Sequence, residues 1–254
     1  MNPFFFGPRQ RRLFGLYTPG QPHGFGERSA VLCHPFGQEY LRAHRSMRQL
    51  ATLLTRVGVH VLRFDYFGTG DSAGDLRDAE LSGWESDIEA AIEELEETTG
   101  SKRVGLVGLR LGATLAAAVA ARRTDVERLL LWDPVVRGRE YAHELLRSSP
   151  GGEAPRGDGA REVLGFTVPA RLLGEIGEVD LVPLVPALPQ RTLAIATEHG
   201  PSHGALAAAL EGRGQGAPRL ERLVSSPPWV EHRSTGVGAI PVNVLQRIAE
   251  WWES

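Results

Sequence analysis

Apolar positions follow two spacings along this chain: short continuous runs, and stretches in which they recur every three or four residues. Ala30–Cys33, Val59–Asp65, Arg128–Trp132, Arg191–Thr197 and the run from Val104 to Val107 are short, apolar-rich segments, as expected of strands covered on both sides. Between them Met47, Leu50, Leu54 and Val57 keep helical spacing until Gly58. Trp84, Ile88, Ala91, Ile92 and Leu95 mark a second helix, opposed by Glu85, Glu89, Glu93 and Glu96 and closed by Gly100. That acidic face reads as solvated surface. Ahead of these, Phe4–Phe6 and Arg12–Tyr17 alternate about a Gly-Pro pair and predict an antiparallel hairpin. Arg219–Val224 adds a last strand, and Pro241 opens a final helix ending in Trp251 and Trp252. Strands alternating with amphipathic helices predict an α/β domain with a mostly parallel sheet and helices on both faces.

The alternation breaks between Arg137 and Ala187. Short helical pieces, Glu140–Arg147 and Ala170–Ile176, flank a Gly/Pro-rich stretch from Ser149 to Gly159. This predicts a small helical cap inserted into the domain, dividing the chain into core (1–136), cap (137–187) and core again (188–254).

Composition narrows the class. A chain of 254 residues, 42% hydrophobic and 23% charged, has the size for one domain with a substantial core. A net charge of -3 argues against a nucleic-acid partner. The single cysteine, Cys33, excludes an intramolecular disulfide and points to a reducing, cytoplasmic setting. No secretory leader and no run of membrane-spanning length is expected. The reading calls for no cofactor, leaves the oligomeric state open, and takes the partner to be a small molecule. Glu198, His199 and His203 invite a metal reading, but a Gly200-Pro201-Ser202 loop does not promise converging ligands, so no metal site is assigned.

The most informative stretch is Val104–Ala116, an apolar strand that turns through Gly108-Leu109-Arg110-Leu111-Gly112 into an alanine-rich helix. Together with Phe4–Phe6 and Arg12–Tyr17, with His34-Pro35-Phe36-Gly37, with the turn from Asp65 to Asp75 and with Leu131-Trp132-Asp133-Pro134-Val135, it carries a resemblance. The chain resembles α/β-hydrolases of the serine-aminopeptidase-like branch, and more narrowly the exosortase-system-associated hydrolases of the type 2 group, which also have arginine in the elbow. The resemblance implies the α/β-hydrolase fold: a mostly parallel sheet of about eight strands, helices on both faces, a cap, and Val104–Val107 at the centre.

It also implies positions for a site. Arg110 stands where the family's nucleophilic serine would be, in the strained Gly-x-Ser-x-Gly turn. Oxyanion donors would be the backbone N–H of Leu111 and, since Pro35 has none, that of Phe36 or Gly37. His34 is either a substrate contact or a loop histidine bonded to backbone. A histidine after the last strand would be His232, oriented by an acid at Glu198 or, alternatively, Asp133. Asp65, Asp71 and Ser72 are turn formers first, and Cys33 a small core residue.

Arginine cannot attack a carbonyl, so the usual acyl transfer is excluded at this elbow. Two readings of Arg110 follow. It presents its fork to a carboxylate, a phosphate or a developing oxyanion, or it is a relic that fills space or pairs with a nearby acid. Correspondingly, the chain is an atypical enzyme in which Arg110 and backbone donors hold negative charge while His232 moves a proton, for hydrolysis by activated water or for a cyclisation, elimination or addition. The alternative is a catalytically silent binding or scaffold protein. Under the first reading Arg110→Ala removes function and leaves the protein folded. Under the second, the cap fills the space above Arg110.

Overall fold

The computed structural model describes residues 1–22, 28–149, 159–197, 200–214, 219–230 and 238–254. Eight strands form one sheet: β1 (Asn2–Phe6), β2 (Leu13–Thr18), β3 (Arg28–Cys33), β4 (Val59–Phe64), β5 (Val104–Leu109), β6 (Val126–Trp132), then, beyond a separate hairpin of β7 (Arg161–Val163) and β8 (Phe166–Val168), β9 (Arg191–Ala196) and β10 (Arg219–Arg222). Their order across the sheet is β1-β2-β4-β3-β5-β6-β9-β10. β1 and β2 pair antiparallel at one edge, β2 pairs antiparallel with β4, and the remainder is parallel. The hairpin and the parallel sheet are as the periodicity predicted, and Val104–Val107 lies at the centre as the resemblance implied.

Alternation along the central strands explains the layering. Val31 and Cys33 of β3 and Leu106 of β5 face one apolar cluster, shared with α2 (Leu81–Thr99) and α3 (Leu111–Ala120). Ala30, Leu32, Val107 and Leu109 face the other, shared with α1 (Gly37–Arg56) and α7 (Val242–Glu253). A strand buried on both faces has no polar side to alternate, so it reads as a continuous apolar run.

Residues 137–187 hold α4 (Gly138–Arg147), the β7–β8 hairpin, α5 (Ala170–Glu178) and a 3-10 turn over Val182–Ala187. The hairpin was not foreseen. Its strands are three residues each, too short for a period of two to show. α6 (Pro201–Glu211) joins the last two strands. Among the described residues, no helix is long and apolar enough to cross a membrane.

Candidate functional site

The elbow follows from the glycines around Arg110. A Cβ on Gly108 would lie 2.2 Å from the Ala113 Cα, and one on Gly112 would lie 2.1 Å from the His34 carbonyl oxygen. Only hydrogen fits where the strand turns back on its helix and where that helix rests on the loop after β3. Arg110 itself sits at φ 54°, ψ -123°, a strained conformation for a side chain-bearing residue. Its backbone is anchored on both sides: its N–H donates to the Trp132 carbonyl at 3.0 Å and its carbonyl accepts from Ala113 at 3.0 Å.

The guanidinium is buried among acids and rings. Nε donates to Glu39 Oε1 at 2.9 Å and a terminal nitrogen to Glu144 Oε2 at 3.0 Å. Tyr141 donates its hydroxyl to the other Glu39 oxygen at 2.8 Å. The Trp229 and Tyr141 rings stand 4.9 Å and 5.2 Å from the guanidinium carbon, within cation–π range. Side chains of Arg110 and Glu39 are 5% and 8% exposed, while Glu144 is 48% exposed at the rim. Burial pushes the Glu39 carboxyl above its ordinary range, opposed by the charge of Arg110 and the hydrogen bonds from Tyr141 and Arg110. This corrects the expectation that Arg110→Ala leaves the fold untouched: the cation is one half of a buried ion pair that ties α4 to α1.

Neither Glu39, Tyr141, Glu144 nor Trp229 was singled out from sequence. A signal existed, since Tyr141 and Glu144 lie three apart on one face of the Glu140–Arg147 helix. Nothing local said which acid would reach Arg110, because Glu39 lies 71 residues away.

The loop His34–Gly37 and the start of α3 border a cavity of about 160 Å³, lined by His34, Phe36, Gly37, Trp84, Leu111 and Phe166 among others. That is room for a single aromatic ring. At a helix start the Leu111 N–H has no intrahelical acceptor. His34 is buried, with its ring edge-on to Tyr40 and its Nδ1 without a hydrogen-bond partner among the described residues. Burial, then the charges of Arg63 and His44, lower its pKa to about 3, so the imidazole is neutral. Cys33 is fully buried and burial raises its thiol pKa, as befits a core residue. Asp65 and Ser72 serve the turn: Asp65 accepts from Tyr40 at 2.8 Å and from the Asp71 N–H at 3.0 Å, and Ser72 accepts from the Phe14 N–H at 2.8 Å.

Of the acid and histidine positions, Glu198 and His232 lie outside the described residues, as does His199. His203, on α6, borders a shallow hollow that Arg110, Tyr141 and Glu144 also line. Asp133 is fully buried at φ 41° and takes 2.7 Å hydrogen bonds from both the backbone N–H and the hydroxyl of Thr197. Asp133→Asn is expected to stay within about 1 kcal/mol of the wild type, since asparagine tolerates positive φ and still accepts from that N–H. Asp133→Ala should cost about 2–3 kcal/mol more, through unmet buried donors. Chemical denaturation of the two variants measures the difference, and equal stabilities would refute it.

The sheet order, the elbow and the loop after β3 define an α/β-hydrolase fold. The family model for serine aminopeptidase S33 (Hydrolase_4) matches residues 27–169, and the chain belongs to that family. Among solved structures it is similar to Est1E from Butyrivibrio proteoclasticus bound to ferulic acid, with a TM-score of 0.73 at 14% identity over 98% of this chain and 97% of that one. It is also similar to the enol-lactonase from Burkholderia xenovorans LB400, with a TM-score of 0.64 at 20% identity over 98% of this chain and 100% of that one. At these identities the likeness is one of fold. No protein of curated function matches the chain in sequence.

Proposed function

We propose that this chain is a hydrolase-fold binding protein that holds a small, largely apolar carbonyl or carboxylate compound in the cavity behind the His34–Gly37 loop and forms no acyl-enzyme. The observation that carries this reading is the pairing of Arg110 with Glu39 and Glu144. The elbow residue is no nucleophile, and its guanidinium is engaged by two acids, Glu39 from α1 and Glu144 from α4 in the segment read as the cap. Leu111 and Phe36 or Gly37 supply N–H groups for the ligand's oxygen, His34 a further polar contact, and Trp84 and Phe166 an apolar wall.

A second reading is favoured by those same donors. Oxyanion-type N–H groups beside a ring-sized cavity suit an enzyme that polarises a carbonyl while His232, oriented by Glu198 or Asp133, moves a proton. The two readings part on turnover. Ferulate is a fitting probe because it is the ligand of the Est1E structure. The binding reading expects saturable ferulate binding by calorimetry, no hydrolysis of methyl ferulate or of enol lactones, and no adduct with a fluorophosphonate probe. Ester or lactone turnover lost in His232→Ala would replace it with the second reading. A fluorophosphonate adduct at any serine would overturn both.

A further inference from the structure

The opposite end of the sheet carries a second, larger cavity, of about 480 Å³, where the parallel strands begin. Arg28 opens β3, Lys102 and Arg103 lead into β5, Arg128 lies near the start of β6 and Arg191 opens β9. Among the described residues, these five cations share the cleft with one carboxylate, Glu127, which stands 3.8 Å from Arg191. The chain as a whole carries a net charge of -3, so the positive charge here is a local concentration against the overall sign.

Part of the cluster has a structural task. Arg128 donates to the Trp251 carbonyl at 2.9 Å and Arg28 to that of Trp252, so both guanidinium groups cap the last turn of α7. Arg128 also stands over the Trp251 and Trp252 rings, 5.6 Å and 5.7 Å from their centres, and like charges still crowd it. Arg128 is 5% exposed, and burial, then Arg191 and Arg28, bring its pKa down to about 10. Lys102, the only lysine of the chain, and Arg103 are exposed and make no ion pair among the described residues. Beneath them the Trp252 indole lies against Gly105, where a Cβ would come within 2.0 Å of the ring.

We propose that this cleft binds a phosphoryl-bearing small molecule. A phosphoryl dianion takes several charge-assisted hydrogen bonds at once, matches the guanidinium fork, and relieves the mutual repulsion of the cations. The volume suits a small ligand, and the overall acidity of the chain disfavours a nucleic-acid chain.

The test is calorimetric titration of the full chain with pyrophosphate at constant ionic strength. Saturable binding with a sub-millimolar Kd is expected, together with a rise in Tm that chloride does not reproduce. Lys102→Glu combined with Arg103→Glu changes two exposed side chains and should weaken binding at least tenfold at unchanged Tm. Arg128→Lys should weaken it as well. A His34→Ala variant should bind pyrophosphate as the wild type does, which separates this site from the ferulate cavity. Vesicles of phosphatidylcholine with phosphatidic acid identify the source of the phosphoryl group: sedimentation with them, reversed by pyrophosphate, points to a lipid headgroup, and none to a soluble ligand. Non-saturable binding, an equal effect of chloride, or an unweakened charge-reversal variant overturns the proposal. Binding of poly-glutamate without binding of pyrophosphate overturns it in favour of an acidic protein.

Discussion

Arg110→Ala is expected to lower stability by about 3–5 kcal/mol, because it leaves the Glu39 carboxylate buried without its cation. Glu39 has its own remedy, since a carboxyl freed of Arg110 gains a proton more readily. In the variant its folded-state pKa lies further above the unfolded value than in the wild type. For an acid whose folded pKa is raised, the stability is fully present below the unfolded pKa, near 4.5, and is lost as pH rises through the folded one. The deficit of Arg110→Ala should therefore be smallest near pH 4.5 and widen towards neutrality. Glu39→Gln added to Arg110→Ala should recover part of the loss at pH 7, as it removes the orphaned charge. Arg110→Lys should recover part too, because one ammonium cannot span both Glu39 and Glu144 as the fork does. Urea denaturation across pH checks all three. A loss under 1 kcal/mol for Arg110→Ala would mean that the pair contributes little and would return Arg110 to a ligand-facing role.

Gly112→Ala should be strongly disruptive. The added Cβ would stand 2.1 Å from the His34 carbonyl oxygen and 2.4 Å from that of Cys33, and both obstacles are backbone that cannot rotate away. Overpacking of this kind costs about 1–3 kcal/mol, and the upper end is expected where the obstacle is backbone. It would also push the His34–Gly37 loop off the start of α3, so ferulate binding should fall with stability. Gly204→Ala is the control, since nothing lies within 4 Å of a Cβ there and α6 gains a better helix former. If Gly112→Ala matches Gly204→Ala in melting temperature, the close approach of loop and helix is not real.

How much of this was legible in the residues depends on the range of the interaction. The strands could be read because burial on both faces leaves continuous apolar runs, as in Val104–Leu109, and the elbow because its glycines mark a close approach of backbone. Turn chemistry was local too, and Asp65 and Ser72 do the hydrogen bonding their residue types suggest. The surroundings of Arg110 were not readable. Its partners come from α1, from α4 and from the loop holding Trp229, and an ion pair across 71 residues leaves no periodicity. The basic cleft was hidden for a like reason: each strand start contributes only one or two cations, and only the sheet brings them together.

The pairing at the elbow has a consequence for descent. In a serine-bearing relative the residue at this turn is held by its chemistry, whereas here three elements lean on the side chain. Arg110→Ser alone would strand Glu39, so a return to serine chemistry has to pass through a less stable intermediate or change Glu39 first. Glu39→Gln first would take from the buried guanidinium its buried acid and leave it the half-exposed Glu144. Each single step is downhill in stability and gains no activity, so the arginine, once paired, is held by its neighbours. Ancestral sequences resurrected along this lineage should show Glu39 and Arg110 arriving close together and neither leaving alone.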